Sequence, residues 1–166
     1  MNLFVLRHGL AVERSIPGFK LDRDRPLTPE GRKKTRRLAA LLRRLQVSFD
    51  LILTSPYIRA RQTAEIVAEL LGTPKALEMS PRLAPGQPLN GVVAQLKRRH
   101  SAEQVLLVGH EPDLSRLISI LITGKPGLAL ELKKGGFVKL EIGTLRYGRC
   151  ATLQWLLPPK LYSAGK

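Results

Sequence analysis

The chain has 166 residues, and its hydrophobic content of 43% is enough for one domain with a buried core. Its single cysteine, Cys150, excludes an internal disulfide, and no apolar stretch is long enough to span a membrane. The formal net charge of +15 indicates attraction to anions, but an aromatic content of 5% leaves few side chains to stack on nucleic-acid bases. We therefore expect one domain over residues 1–166, a cytoplasmic location and no membrane partner. Nucleic acid is disfavoured as a partner, and a monomer is favoured.

The first half of the chain alternates short apolar runs with amphipathic helices. Residues 3–6 are apolar and predict a buried strand rather than part of a signal peptide. Thr28 then provides a capping hydroxyl for a helix whose leucines recur at helical spacing. The outer positions of this helix are basic, which fits either a solvated face or a field that attracts anionic substrates. A second strand is predicted over Leu51–Thr54, and the helix that starts near Tyr57 ends at Gly72.

The second half repeats the alternation and closes with a hairpin. A weaker helix is predicted over residues 89–99, a third buried strand over 104–108 and a helix over 112–123. Residues 137–142 and 150–156 alternate as the two strands of a terminal hairpin do. Strands that alternate with helices predict βαβ units. The fold class is therefore α/β, a three-layer α/β/α sandwich with a mainly parallel central sheet and a C-terminal hairpin.

Polar residues follow each of the three predicted parallel strands. The tripeptide Arg7-His8-Gly9 follows the first strand, Thr54-Ser55-Pro56 leads from the second strand toward Arg59, and Gly109-His110-Glu111 follows the third. Ligands of open α/β sheets bind beyond this edge, so we expect the two arginines and two histidines to converge there. Guanidinium groups bind phosphate oxygens through a planar fork, and a glycine lets a ligand approach the backbone. This set of residues favours phosphate chemistry.

The same residues resemble the motifs of the histidine phosphatase superfamily, which is also called phosphoglycerate-mutase-like. Arg7-His8-Gly9 is similar to its RHG hallmark, and residues 55–64 (SPYIRARQTA) are similar to its SPxxRAxQTA segment. Residues 108–111 (VGHE) lie where the family has its second histidine. The resemblance extends from Met1 to about Thr123. It implies a phosphoglycerate-mutase-like fold and a phosphatase that needs no metal or cofactor, and the three histidines lack the spacing of a metal site.

The resemblance also implies a role for each of the four central residues. His8 is expected to be the nucleophile, Arg7 and Arg59 to clamp the phosphoryl oxygens, and His110 to stabilise the transferring group. Phosphoryl transfer depends mainly on positioning and on neutralising these oxygens, which two guanidinium groups and an imidazole can do without metal. The further candidates for substrate binding are Gly9, Arg25 and Glu111.

Within the superfamily, the chain most resembles the short phosphohistidine phosphatases of the SixA type. Residues 25–31 (RPLTPEG) are similar to that subgroup's RPLTxxG segment, and the region 74–101 is too short for a large cap over the site. Larger members carry an acidic residue near residues 82–86, where this chain has none, and the SixA type likewise lacks it. Candidate acids elsewhere are Glu111, Asp22 and Asp24. The expected substrate is phosphohistidine on a protein.

Two alternative functions stay open at this point. A small-molecule or aryl phosphomonoesterase on the same fold would share every one of these residues and differ in the acid and the cap. A phosphate-binding or nucleic-acid-binding module without catalysis would tolerate an incomplete pocket, whereas Arg7, His8, Arg59 and His110 are all present. A mutase must retain its intermediate, which an open site does poorly.

Overall fold

A six-stranded sheet organises the chain in the computed structural model, which describes residues 1–19 and 21–163. The strands are β1 (Asn2–Arg7), β2 (Leu51–Thr54), β3 (Leu77–Met79), β4 (Gln104–Gly109), β5 (Phe137–Ile142) and β6 (Ala151–Leu157). Their order across the sheet is β3-β2-β4-β1-β5-β6. Strands β1 to β4 are mutually parallel, whereas β5 pairs antiparallel with both β1 and β6. The predicted mainly parallel sheet with a C-terminal hairpin is confirmed.

Helices cover both faces of this sheet. They are α1 (Pro29–Arg44), α2 (Ile58–Leu70), α3 (Leu89–Lys97), α4 (Asp113–Thr123) and α5 (Pro159–Ser163). Helix α1 begins as predicted, because the hydroxyl of Thr28 accepts the N–H of Gly31. None of the helices found in residues 1–19 and 21–163 is long and apolar enough to cross a membrane.

Side chains of β1 alternate between two apolar cores. Leu3 and Val5 pack in a cluster with residues of α3 and α4, and Phe4 and Leu6 pack in a cluster with residues of α1 and α2. A strand covered on both faces is apolar at every position, which explains why the central strands appear in the sequence as continuous apolar runs. The two cores separate three layers, and the predicted α/β/α sandwich is confirmed.

Two elements of the structure were not predicted. The short edge strand β3 was not predicted, because it has only three residues and leaves Met79 exposed. The five-residue helix α5 was also missed, since so short a segment has no periodicity to detect. The other boundaries agree within two residues.

Candidate active site

The carboxyl ends of β1, β2 and β4 lie side by side and carry the candidate residues. Strand β4 lies between the other two, with Arg7 in register with Gly109 and Thr54 in register with Val108. The N–H of His8 donates to the carbonyl of Gly109 at 3.1 Å, which extends the β1–β4 ladder by one residue. The predicted convergence of the three strand ends is therefore observed.

His8 is buried and held as a neutral imidazole of one tautomer. Its Nδ1 lies 2.8 Å from the carbonyl oxygen of Gly9, so Nδ1 must carry the proton. Nε2 is therefore unprotonated, and its electron pair accepts the Nε–H of Arg59 at 3.2 Å. Burial is the main reason that the pKa of His8 is lowered to about 3. The hydrogen bond to Gly9 raises this pKa, whereas the neighbouring His110 and Arg59 lower it. An uncharged ring with an available Nε2 is the form in which histidine is a nucleophile.

Arg59, near the start of α2, contacts both histidines. Besides its bond to His8, its guanidinium donates to the carboxylate of Asp22 at 2.9 Å and to the Asp22 carbonyl at 2.7 Å. Its Nη2 lies 3.3 Å from Nδ1 of His110. Burial lowers the pKa of Arg59, while the bonds to Asp22 oppose this effect. The fork is thus fixed between two neutral rings and one carboxylate.

His110 is the second buried imidazole, with its ring centroid 5.1 Å from that of His8. Since guanidinium only donates, Nδ1 of His110 accepts from Arg59, and its Nε2 donates to the hydroxyl of Ser55 at 2.8 Å. Burial lowers the pKa of His110 to about 3, and the charge of Arg59 adds to this effect. An anion bound between the rings would raise this pKa and favour a donor at Nδ1.

Arg7 points a second guanidinium into the site from the end of β1. One Nη donates to the carbonyl of Leu132 at 2.9 Å, whereas the Nε is buried without a partner among the residues that the structure describes. Burial lowers the pKa of Arg7, and the charge of Glu111 opposes this effect. An unpaired buried N–H costs free energy, and a phosphoryl oxygen within reach would recover it.

These side chains line a cavity of about 200 Å³. Its walls contain five cationic side chains and two carboxylates, so the cavity favours an anion. The lining residues are Arg7, His8, Ala11, Arg14, Asp22, Arg25, Arg59, Pro85, His110, Glu111 and Lys134. No group of three or more metal-ligating side chains occurs within residues 1–19 and 21–163.

Asp22 organises the arginines on one wall. Its carboxylate accepts from Arg14 at 2.8 Å and from Arg25 Nε at 2.9 Å, in addition to Arg59. Partial burial alone would raise the pKa of Asp22, but the hydrogen bonds from the three arginines outweigh it and hold the pKa well below its ordinary value. Asp22 is therefore ionised and unsuited to the role of general acid. The sequence marked it only as a candidate acid.

The remaining candidates lie in different places. Arg25 and Glu111 line the cavity, and the Glu111 carboxylate accepts the N–H of Ser115 in the first turn of α4. Gly9 lies behind His8 and not in the cavity wall, and a Cβ there would come 2.9 Å from the hydroxyl of Thr35. Close packing of the segment after β1 on α1 thus accounts for a glycine at this position. Asp24 is outside the cavity lining.

The loop over residues 82–86 reaches the cavity but brings no acid. Pro85 lines the cavity, and the N–H of Gly86 donates to the carboxylate of Asp113 at 2.7 Å, which fixes the loop to the start of α4. Sequence reasoning missed the cavity-lining Arg14 and Lys134, whose exposed cationic side chains look like ordinary surface residues.

Comparisons with known proteins identify relatives of the chain. The model of the histidine phosphatase superfamily (branch 1) matches residues 3–84. Phosphohistidine phosphatase SixA of Escherichia coli (strain K12) is 32% identical over 127 residues, which cover 75% of this chain and 76% of the relative. An uncharacterised protein of Picosynechococcus sp. is 37% identical over 174 residues, covering 95% of this chain and all of the relative.

Solved structures are similar over almost the whole chain. A structure of the protein histidine phosphatase SixA complexed with tungstate has a TM-score of 0.82 at 28% identity, and the match covers 96% of this chain and 97% of that one. A structure named as a putative phosphohistidine phosphatase SixA from Agrobacterium tumefaciens has a TM-score of 0.76 at 20% identity, covering 95% and 98% of the two chains. The second likeness supports the fold alone.

Proposed function

This chain belongs to the histidine phosphatase superfamily, and we propose that it removes phosphoryl groups from phosphohistidine on proteins, with Nε2 of His8 as the nucleophile. The observation that carries the proposal is the state of His8. Its ring is neutral and its Nδ1–H donates to the carbonyl of Gly9, while its unprotonated Nε2 accepts the N–H of Arg59 at a cavity lined by arginines. The E. coli relative is named as a phosphohistidine phosphatase, which supports the same substrate class.

In the first step, Nε2 of His8 attacks the phosphorus, and the P–N bond to the substrate histidine breaks. The substrate reacts in the form whose other ring nitrogen is protonated, so its imidazole takes the electron pair of the P–N bond and leaves neutral. Arg7 and Arg59 stabilise the charge on the phosphoryl oxygens, as cationic donors do in phosphoryl transfer. His110 can donate to an oxygen once the bound anion has raised its pKa.

In the second step, water attacks the phosphorus and the bond to His8 breaks. Inorganic phosphate keeps both protons of the water, and His8 returns to its neutral form with its Nδ1–H still on the carbonyl of Gly9. Neither step requires a general acid for the leaving group. This fits the two carboxylates of the cavity, since Asp22 is ionised and Glu111 accepts a hydrogen bond from the first turn of α4.

The proposal is tested by trapping the intermediate. The enzyme is mixed rapidly with a phosphohistidine peptide, quenched in base to preserve the P–N bond, digested and analysed by mass spectrometry. We expect one phosphoryl group, located on His8 and absent from the His8→Ala variant. The control is His100→Ala, at an exposed position, which should be phosphorylated like the wild type. Steady turnover by His8→Ala, or a phosphoryl group on another residue, would overturn the proposal.

A further inference from the structure

The loop between β1 and α1 places three large apolar side chains on the surface. Ile16, Phe19 and Leu21 are 49%, 36% and 47% exposed. No other stretch of six residues in the described parts of the chain has even two such side chains. Single exposed apolar residues are ordinary, but a concentration of them marks a surface that binds a partner.

This loop is built into the wall of the cavity. Arg14 and Asp22 line the cavity on either side of the apolar positions, and they are joined by a bond of 2.8 Å from Nε to Oδ1. The base of the loop is closed by a bridge between Ala11 and Leu27. The Asp22 end is held by Arg59 itself. A molecule whose phosphoryl group reaches His8 therefore lies next to the apolar positions.

The size of the cavity decides which part of the substrate meets the loop. Its volume of about 200 Å³ is smaller than the roughly 300–1,000 Å³ of pockets that enclose a drug-sized ligand. A phosphorylated side chain fits inside, and the chain that carries it stays outside. The mouth of the cavity is cationic, because the lining side chains of Arg14 and Lys134 are both exposed.

We propose that residues 12–19 and 21, named here the docking loop, bind the protein substrate through acidic and apolar residues that flank its phosphohistidine. The proposal rests on the proposed function for the identity of the phosphorylated residue. Apolar flanking residues cover Ile16, Phe19 and Leu21, while acidic ones pair with the cations at the mouth. The docking loop thereby selects the protein that carries the phosphohistidine, whereas the cavity selects the phosphoryl group.

The test measures binding and not turnover. Two peptides contain phosphotriazolylalanine, a stable analogue of phosphohistidine, flanked either by Glu and Leu or by Lys and Ser. Inorganic phosphate is the third ligand, and calorimetry gives each Kd. We expect the wild type to bind the acidic, apolar peptide at least about tenfold more tightly than the basic one. Equal affinities for the two peptides would overturn the proposal.

Variants then locate the binding surface. In Ile16→Ser/Leu21→Ser, the affinity for the acidic, apolar peptide should fall about tenfold while that for phosphate is unchanged. The matched control is Leu45→Ser/Leu161→Ser, which removes leucines that are 57% and 64% exposed elsewhere and should bind like the wild type. Unchanged affinity for the peptide, or an equal loss of affinity for phosphate, would show that the docking loop does not bind the protein substrate. Because binding is measured, failure of His8 to become phosphorylated would count against the proposed function alone.

Discussion

Arg59 donates its Nε–H to Nε2 of His8 across 3.2 Å, so the proposed clamp and the proposed nucleophile are bonded directly to each other. This contact requires the electron pair of His8 to be on Nε2, and the bond from Nδ1 to the Gly9 carbonyl requires the same tautomer. A phosphorus atom that approaches Nε2 meets the guanidinium at the same time. One donor of Arg59 can then pass from nitrogen to a phosphoryl oxygen with little movement.

Replacement of Arg59 tests whether its shape matters as well as its charge. Both Arg59→Ala and Arg59→Lys should lower kcat/KM by about 100- to 1,000-fold, since loss of one such donor costs about 3 kcal/mol. Lysine should not restore activity because an ammonium cannot bond Asp22, His8 and a phosphoryl oxygen in one plane. The control is Arg61→Lys, at a half-exposed position on the same helix. Full activity in Arg59→Lys would mean that this position supplies only charge.

We expect Asp22 to hold Arg59 in position, while its negative charge in the cavity wall weakens the binding of anions. Asp22→Asn keeps an amide oxygen for the arginines but removes a negative charge from the cavity wall. We expect kcat to fall about tenfold as the clamp loosens, and phosphate to inhibit more strongly because the cavity becomes more positive. Asp24→Asn, at a neighbouring position outside the cavity lining, provides the control. A parallel loss of kcat and of phosphate affinity would point to a general structural defect instead.

The buried histidines should make the protein less stable in acid. The pKa of both His8 and His110 is lowered to about 3, mainly by burial. In the unfolded chain the same side chains take up a proton near pH 6.5. The unfolded state therefore gains protons as the pH falls, and the free energy of unfolding decreases between pH 7 and pH 3. At pH 5 the loss is about 2 kcal/mol for each histidine. The carboxylate of Asp22 adds almost nothing between pH 7 and pH 5, because the unfolded chain protonates it only near its ordinary pKa of 3.8, and its own loss of stability comes below that pH.

Urea denaturation at pH 8 and pH 5, in buffer without phosphate, measures this effect. The variant His8→Asn/His110→Asn should lose far less stability on acidification than the wild type does. His100→Asn changes an exposed histidine and should lose as much as the wild type. Equal losses in all three proteins would contradict the assignment of neutral, buried rings at the two site positions.

The sequence was informative wherever residues follow a strand that is buried on both faces. Apolar runs located β1, β2 and β4, and their parallel arrangement brought Arg7, His8 and His110 to one edge. The partners of Asp22 could not be predicted, because the segment between β1 and α1 has no periodicity and its path depends on tertiary contacts. The tautomers of the two histidines depend on single hydrogen bonds, which no sequence pattern specifies.

The cavity offers no acid to protonate a leaving group, and this should determine which phosphate esters are hydrolysed. An alkyl phosphate expels a basic alkoxide, and general acids typically contribute about 10²- to 10⁴-fold to such a step. Phosphohistidine and aryl phosphates expel much weaker bases. We therefore expect kcat/KM for these two substrates to exceed that for a sugar phosphate by at least about 100-fold at fixed salt. Similar values for all three would mean that a hidden acid acts, with Glu111 the first to be replaced.

Supplying an acid should narrow this gap. Pro85 lines the cavity on a loop fixed by the bond from Gly86 to Asp113, so Pro85→Glu would place a carboxyl group at the cavity wall. Activity toward the sugar phosphate should rise in Pro85→Glu but not in Pro85→Gln, which has the same shape and no proton to give at neutral pH. Activity toward a phosphohistidine peptide should not rise in either variant, since its imidazole leaves without help. An equal gain from glutamine would show that loss of the proline, and not the acid, had opened the site.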